Sequence, residues 1–207
     1  MLKKSIGYAL GLILVGLVAY NSVYIKKESD FNAGEKKAFD AKAYAREYLF
    51  QKVPKSVNKA VDITKFLSDF KSDPKQVYKY SQGKSADNVS YFLVKGRGDV
   101  TKTDESNVFI NAGTENAEVK LATEYIFGNA ARDGSGLISI NDFDNTMDLN
   151  DLSEEINKLI KTEILPPFKS KVKKGDKIEF LGVIELDEAM PKPENFEIIP
   201  LKLSISN

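Results

Sequence analysis

The chain has 207 residues, and its 30 lysines and arginines are balanced by 30 aspartates and glutamates. A neutral chain of this length can bury one ordinary core and has no sequence-independent attraction to nucleic acid. It contains no cysteine and no histidine, which excludes disulfides, thiol nucleophiles, imidazole-based triads and the usual zinc, haem and iron–sulfur ligand sets.

Residues 1–27 read as a membrane anchor. Ser5 to Ile25 carries no charge and lies between Lys3-Lys4 and Lys26-Lys27. About 20 apolar residues are enough to cover a hydrocarbon core of about 30 Å. A cleavable signal has a shorter apolar run and a small-x-small exit. Here Ala19-Tyr20-Asn21-Ser22-Val23-Tyr24 interleaves bulky residues, which favours an uncleaved transmembrane helix. Tyr8, Tyr20 and Tyr24 suit the headgroup belt. The membrane contact is therefore expected through residues 5–25, with a single pass and the C-terminal domain extracytoplasmic.

Residues 28–83 have helical spacing and mixed charge. Phe39, Ala43, Tyr44 and Phe50 suggest an amphipathic helix before Pro54; Val57, Ala60, Val61, Phe66, Leu67 and Phe70 continue the pattern, broken near Asp62. Their aromatic side chains are expected to pack on the domain that follows. Ser72-Asp73-Pro74 starts one more short helix, and Ser81-Gln82-Gly83-Lys84-Ser85 reads as a linker.

After Asp87 the apolar period becomes two. Tyr91 to Val100 predicts a long strand whose Gly96 and Gly98 mark a bulge or bend. Asn107 to Asn111 and Glu118 to Phe127 predict two more. Leu152 to Leu165 has helical spacing, with Asn150-Asp151 as its cap and Pro166-Pro167 as its end. Lys177 to Leu186 and Phe196 to Ile205 complete five strands. Three strands, a helix and two strands is the order of an OB-type barrel. The expected fold is α+β: the anchor (1–27), a helical region (28–83) and a five-stranded OB-like barrel domain (84–207) with its helix between the third and fourth strands.

The stretch Ala130 to Phe143, "AARDGSGLISINDF", has the outline of a calcium loop. With Gly136 at the sixth position, the first ligand position falls on Ala131, which has no ligand oxygen. Arg132 adds a fixed cation, and Asp142 at the twelfth position reaches less far than glutamate. No metal site is expected. Either Arg132 clamps a carboxylate or phosphate, or Arg132 and Asp133 brace the loop while Ile138, Ile140 and Phe143 plug the barrel. The brace is the favoured reading. If the loop contacts a ligand or partner, the candidates are Arg132, Asp133, Asn141, Asp142, Phe143 and Asn145.

The sequence resembles a family of bacterial predicted periplasmic lipoproteins, domain of unknown function 2291. The likeness is carried by Phe39 to Tyr44, Val94 to Gly98, Gly175 to Gly182 and Ile199 to Leu201. It is densest from Gly128 to Asn145 and at Ile156-Asn157. The resemblance implies an extracytoplasmic protein held at the membrane and frequently encoded beside sugar ABC-transporter components; it implies no activity, ligand or cofactor. Members commonly carry a lipobox cysteine, which this chain lacks.

The expected function is a non-enzymatic accessory or binding module, with sugar ABC-transporter components as partners. One alternative is a carboxylate-dependent hydrolase using Asp133 with Asp142 or Asp144. Another is an oligonucleotide-binding module stacking bases on Tyr91, Phe92, Phe109, Tyr125 and Phe127. Neutral charge and the anchor argue against nucleic acid.

Overall fold

The computed structural model describes residues 39–85, 87–113, 118–189 and 196–206. The spanning helix expected at residues 5–25 lies outside these; among the described residues no helix is long and apolar enough to cross a membrane. The first helix, α1 (Ala41–Glu47), is capped by Asp40, whose carboxylate accepts the Ala43 amide. It runs on through a π turn (Tyr48–Lys52) and a 3-10 segment (Val53–Asn58). Strand β1 (Val61–Asp62) leads into α2 (Ile63–Ser72), which Asp62 caps. Asp73 and Pro74 then open a 3-10 helix (Pro74–Tyr80).

The stretch expected to be a linker is strand β2 (Ser81–Lys84), so the boundary drawn at residues 83 and 84 falls within a strand. Its polar side chains sit at a sheet edge, where pairing comes from backbone and leaves little apolar signature. Next come β3 (Val89–Thr103), β4 (Asn107–Asn111) and β5 (Glu118–Ala122). A helical turn, α3 (Ala130–Asp133), a 3-10 turn (Ile140–Asp142), α4 (Thr146–Leu159), a π turn (Ile160–Ile164) and α5 (Leu165–Lys169) separate these from β6 (Lys177–Asp187) and β7 (Glu197–Ser206).

Two boundaries differ from expectation. Asn145, not Asn150-Asp151, caps α4, accepting the Asp148 amide at 2.8 Å. Pro166 and Pro167 occupy the first turn of α5, where a missing amide costs nothing, and so open a helix rather than end one.

The sheet closes in the order β3-β4-β5-β7-β6 and back to β3, with β5 and β7 parallel and the other neighbours antiparallel. This is a five-stranded closed barrel. Strand β3 is long enough to pair with β6 through Val89–Asp99 and with β4 from Asp99 onward, and β1 and β2 add to its free edge. The irregularity in β3 lies between Val100 and Lys102. Gly96 and Gly98 serve close approach instead: a Cβ at Gly98 would sit 2.7 Å from the Asn111 carbonyl oxygen.

The barrel interior holds Phe92, Val94, Ile110, Leu121, Phe180, Ile184 and Ile198. Its plug is α2, not Ile138, Ile140 and Phe143: Phe66 lies edge-on to Phe92 at 5.2 Å and to Phe196 at 5.6 Å, and Phe70 meets Phe196 at 4.9 Å. Ile140 is 64% exposed. The opposite faces of the same strands carry Leu93, Leu181, Val183 and Ile199, also buried. A layer of α1, α3 and α4 covers this side, and Gly134, the C-cap of α3, rests against the Val183 side chain. β6 is thus buried on both faces, which is why Phe180 to Leu186 reads as an almost continuous apolar run.

Candidate functional site

The calcium-like stretch folds as a buried helical turn. Ala130 and Ala131 are small enough to let α3 lie between the sheet and α4, and both are buried. The Tyr48 hydroxyl donates to the Ala131 carbonyl at 2.6 Å, and burial pushes its phenol pKa up. Arg132 donates from Nε and Nη2 to the two Asp133 oxygens at 2.6 and 2.8 Å, and from Nη1 to the Leu149 carbonyl and the Ser153 hydroxyl. Ser153 donates in turn to Asn129 Oδ1 at 3.1 Å. This bidentate pair, tied to α4 through the Arg132 Nη1, has the geometry of a brace.

The other flagged residues are engaged locally. Asp142 closes a capping box with Ser139 around the 3-10 turn that contains Asn141. The Phe143 ring is tilted against Tyr44 of α1 at 5.9 Å. Asn145 caps α4 and donates from Nδ2 to Asp148. Arg132 and Asp133 therefore tie α3 to α4, while Asn141, Asp142, Phe143 and Asn145 order the connection between those helices.

Directly beside the brace is a cleft of about 500 Å³ between the coil Ile126–Asn129 and the outer side of α4. β5 ends at Ala122, so Tyr125 and Phe127 are not strand residues as the expected third strand had them. Ile126 is anchored in the core at 1% exposure, and Phe127, on its far side, is 72% exposed. Gly128, at φ +75°, turns the chain back toward α3. Across the cleft stand Asn150, Ser153, Glu154, Asn157 and Lys158 of α4, then Lys161 and Thr162 of the π turn. A π turn adds one residue to a helix and re-aims its side chains, a device common at binding sites.

Asn157 is the informative residue. It is 6% exposed, and its Nδ2 donates to the Gly128 carbonyl at 2.9 Å. Its Oδ1 is buried without a hydrogen-bond partner among the described residues. A buried acceptor left unpaired costs about 1–3 kcal/mol, which a donor from water or from a ligand in the cleft would relieve. Sequence reading placed Asn157 in a helix and missed its role, since only the Gly128-Asn129 turn brings the coil against it. The signal available was that the densest part of the resemblance starts at Gly128-Asn129 and ends at Ile156-Asn157, and Gly128, Asn129 and Asn157 all line this cleft. No cluster of three or more carboxylates with metal-holding geometry occurs among the described residues.

The fold resembles that of an OB-fold protein, TM0957, from Thermotoga maritima MSB8, with a TM-score of 0.72 and 26% identity over 82% of this chain and 100% of the other. No curated protein matches the chain. The profile of the predicted periplasmic lipoproteins, DUF2291, matches residues 13–204, nearly the whole sequence. The chain belongs to that family, whose description is extracytoplasmic.

Proposed function

We propose that this chain is a membrane-tethered extracytoplasmic accessory protein without catalytic activity, which binds a small polar ligand in the cleft between Phe127 and α4. The observation that carries the reading is the buried Oδ1 of Asn157, without a partner among the described residues, in a cleft that also holds an aromatic ring that is 72% exposed. An exposed ring offers an apolar face to stack on, and the amides of Asn129, Asn150 and Asn157 offer fixed polar recognition. The membrane tether is the apolar segment at residues 5–25, in place of the missing lipobox cysteine. The process served is sugar uptake through an ABC transporter.

The hydrolase alternative is weakened because both Asp133 oxygens are taken by Arg132. The OB-fold neighbour supports an oligonucleotide reading only as a fold. Of the ring residues considered for stacking, Tyr91 and Phe92 are buried, and Phe109 carries the Lys102 ammonium over its ring at 5.1 Å.

The chain has no tryptophan, so Phe127→Trp places a single reporter at the cleft mouth. Titration with a panel of mono- and disaccharides is expected to give a saturable emission change for at least one, abolished by Asn157→Leu. A flat response across the panel would refute a sugar ligand. Deleting the gene tests the transport role; unchanged uptake, with no transporter subunit co-purifying, would remove it.

A further inference from the structure

The segment from Lys161 to Lys177 carries six lysines against two carboxylates, in a chain whose overall charge is zero. Glu163 is neutralised, since Arg46 donates to both its oxygens at 2.6 and 2.9 Å. Asp176 accepts the Lys173 amide and keeps its charge in the lining of an adjacent cleft, so the turn holds three lysines against one carboxylate. Lys169 and Lys177 pair with Glu124 and Asp99. Lys171, Lys173 and Lys174 remain exposed and make no ion pair among the described residues. They are held rather than loose: the turn is fastened to β3 by Gly175 donating to the Val100 carbonyl and Val100 donating to that of Asp176, each at 2.8 Å.

The same lysines stand over apolar surface. Lys171 and Lys173 rim a cleft of about 490 Å³ whose lining includes Ile164, Pro167, Leu203 and Ile205. Aliphatic stems can lie along such a surface while the ammonium groups point outward. The described domain begins at α1, which is pinned beside one wall of this cleft. Asp40 caps α1, and Arg46 of that helix grips Glu163, one residue before Ile164 of the cleft. Residues 26–39 lead from there to the uncharged stretch at 5–25 and can reach no farther than about 50 Å.

We propose that the Lys171–Lys174 turn and the cleft beside it form a surface that rests on anionic phospholipid headgroups. The occupant follows from charge complementarity and from where the tether leaves the domain. Lysines near an anionic leaflet gain attraction that fades within a Debye length, so contact requires that the face be held close, as a tether would hold it. The inference rests on the membrane attachment proposed above.

The test uses the full-length chain in nanodiscs of phosphatidylcholine alone or mixed with phosphatidylglycerol, with amine acylation read lysine by lysine by mass spectrometry. Lys171, Lys173 and Lys174 are expected to react about three-fold or more slowly on the mixed discs, relative to Lys55 and Lys59, with the difference lost at high salt. Reversing the three charges should abolish the difference, and the wild-type comparison stands even if that variant folds poorly. Equal rates on both discs, with the protein retained on each, would overturn the lipid-facing surface and leave the tether intact. Failure of the chain to stay on either disc would overturn both.

Discussion

Arg132 makes four hydrogen bonds with 7% of its side chain exposed, two to Asp133 and two to α4. Removing one member of a largely buried pair costs more than the pair contributes, because the remaining charge, here Asp133 at 28% exposure, keeps much of its desolvation penalty. Arg132→Met is expected to lower the unfolding free energy by about 3–5 kcal/mol, and Ser153→Ala, which removes one neutral partner, by about 1 kcal/mol. Urea unfolding followed by far-UV circular dichroism separates the two; equal losses would mean that the brace is dispensable. Asp69 gives a pH signature. The Tyr80 hydroxyl donates to it at 2.6 Å, with Lys65 and Lys79 alongside, and the carboxyl is held down to about 2. A depressed folded-state pKa contributes stability that is present above the unfolded value and lost as pH falls through about 2. Wild type should therefore lose stability more steeply than Asp69→Asn on acidification below about pH 4. Parallel slopes in urea midpoints would remove Asp69 from the acid transition.

Among the elements, β6 and α3 decide how the helical layer meets the barrel. Val183 faces that layer, and a Cβ on Gly134 would run into both Val183 methyls and approach the Ala130 carbonyl oxygen at 2.8 Å. Strand β6 is buried on both sides and cannot retreat, so Gly134→Ala is expected to cost about 1–3 kcal/mol. Gly128→Ala meets no atom within 4 Å and is charged only for its positive φ, at about 1–2 kcal/mol. The ranking is checked by the same unfolding curves, and a smaller loss at Gly134 would mean that α3 shifts freely. Much at this scale was legible in the sequence. Alternation located β3, β4, β6 and β7, and Ser72-Asp73-Pro74 marked a real helix start, while Asp62, expected only to break the apolar spacing, caps α2. What was not legible depended on structural context that residue types do not carry. β2 is polar because it is an edge, Pro166-Pro167 begins a helix because a π turn precedes it, and Phe127 is exposed because β5 stops at Ala122. Arg132 and Asp133 were expected to hold the loop against the barrel, and they tie α3 to α4 instead. The neighbouring cleft was not legible, since Gly128 and Asn157 are brought together only by the tertiary fold.

For the molecule as a whole, the division into a helical region and a barrel does not map onto separate cores. Asp40–Asn207 form one compact unit. The helical region supplies Phe66 and Phe70 to the barrel interior and two strands to the edge of β3, while Tyr48 of the π turn after α1 bonds to α3 on the far side of the sheet. Neither layer can leave without exposing a face of β6. Cooperative unfolding follows, with the helical signal and the tertiary environment of the buried tyrosines lost together. Phe66→Ala is the discriminating variant, because it sits in a helix yet fills the barrel, and it should cost about 3–5 kcal/mol. If the helices were an independent subdomain, the variant would melt helical signal first and leave the near-UV tyrosine spectrum in place. In an interlocked core both transitions move to lower denaturant by the same amount, since the space vacated by the ring lies against Phe92 of β3 and Phe196 beside β7 at once.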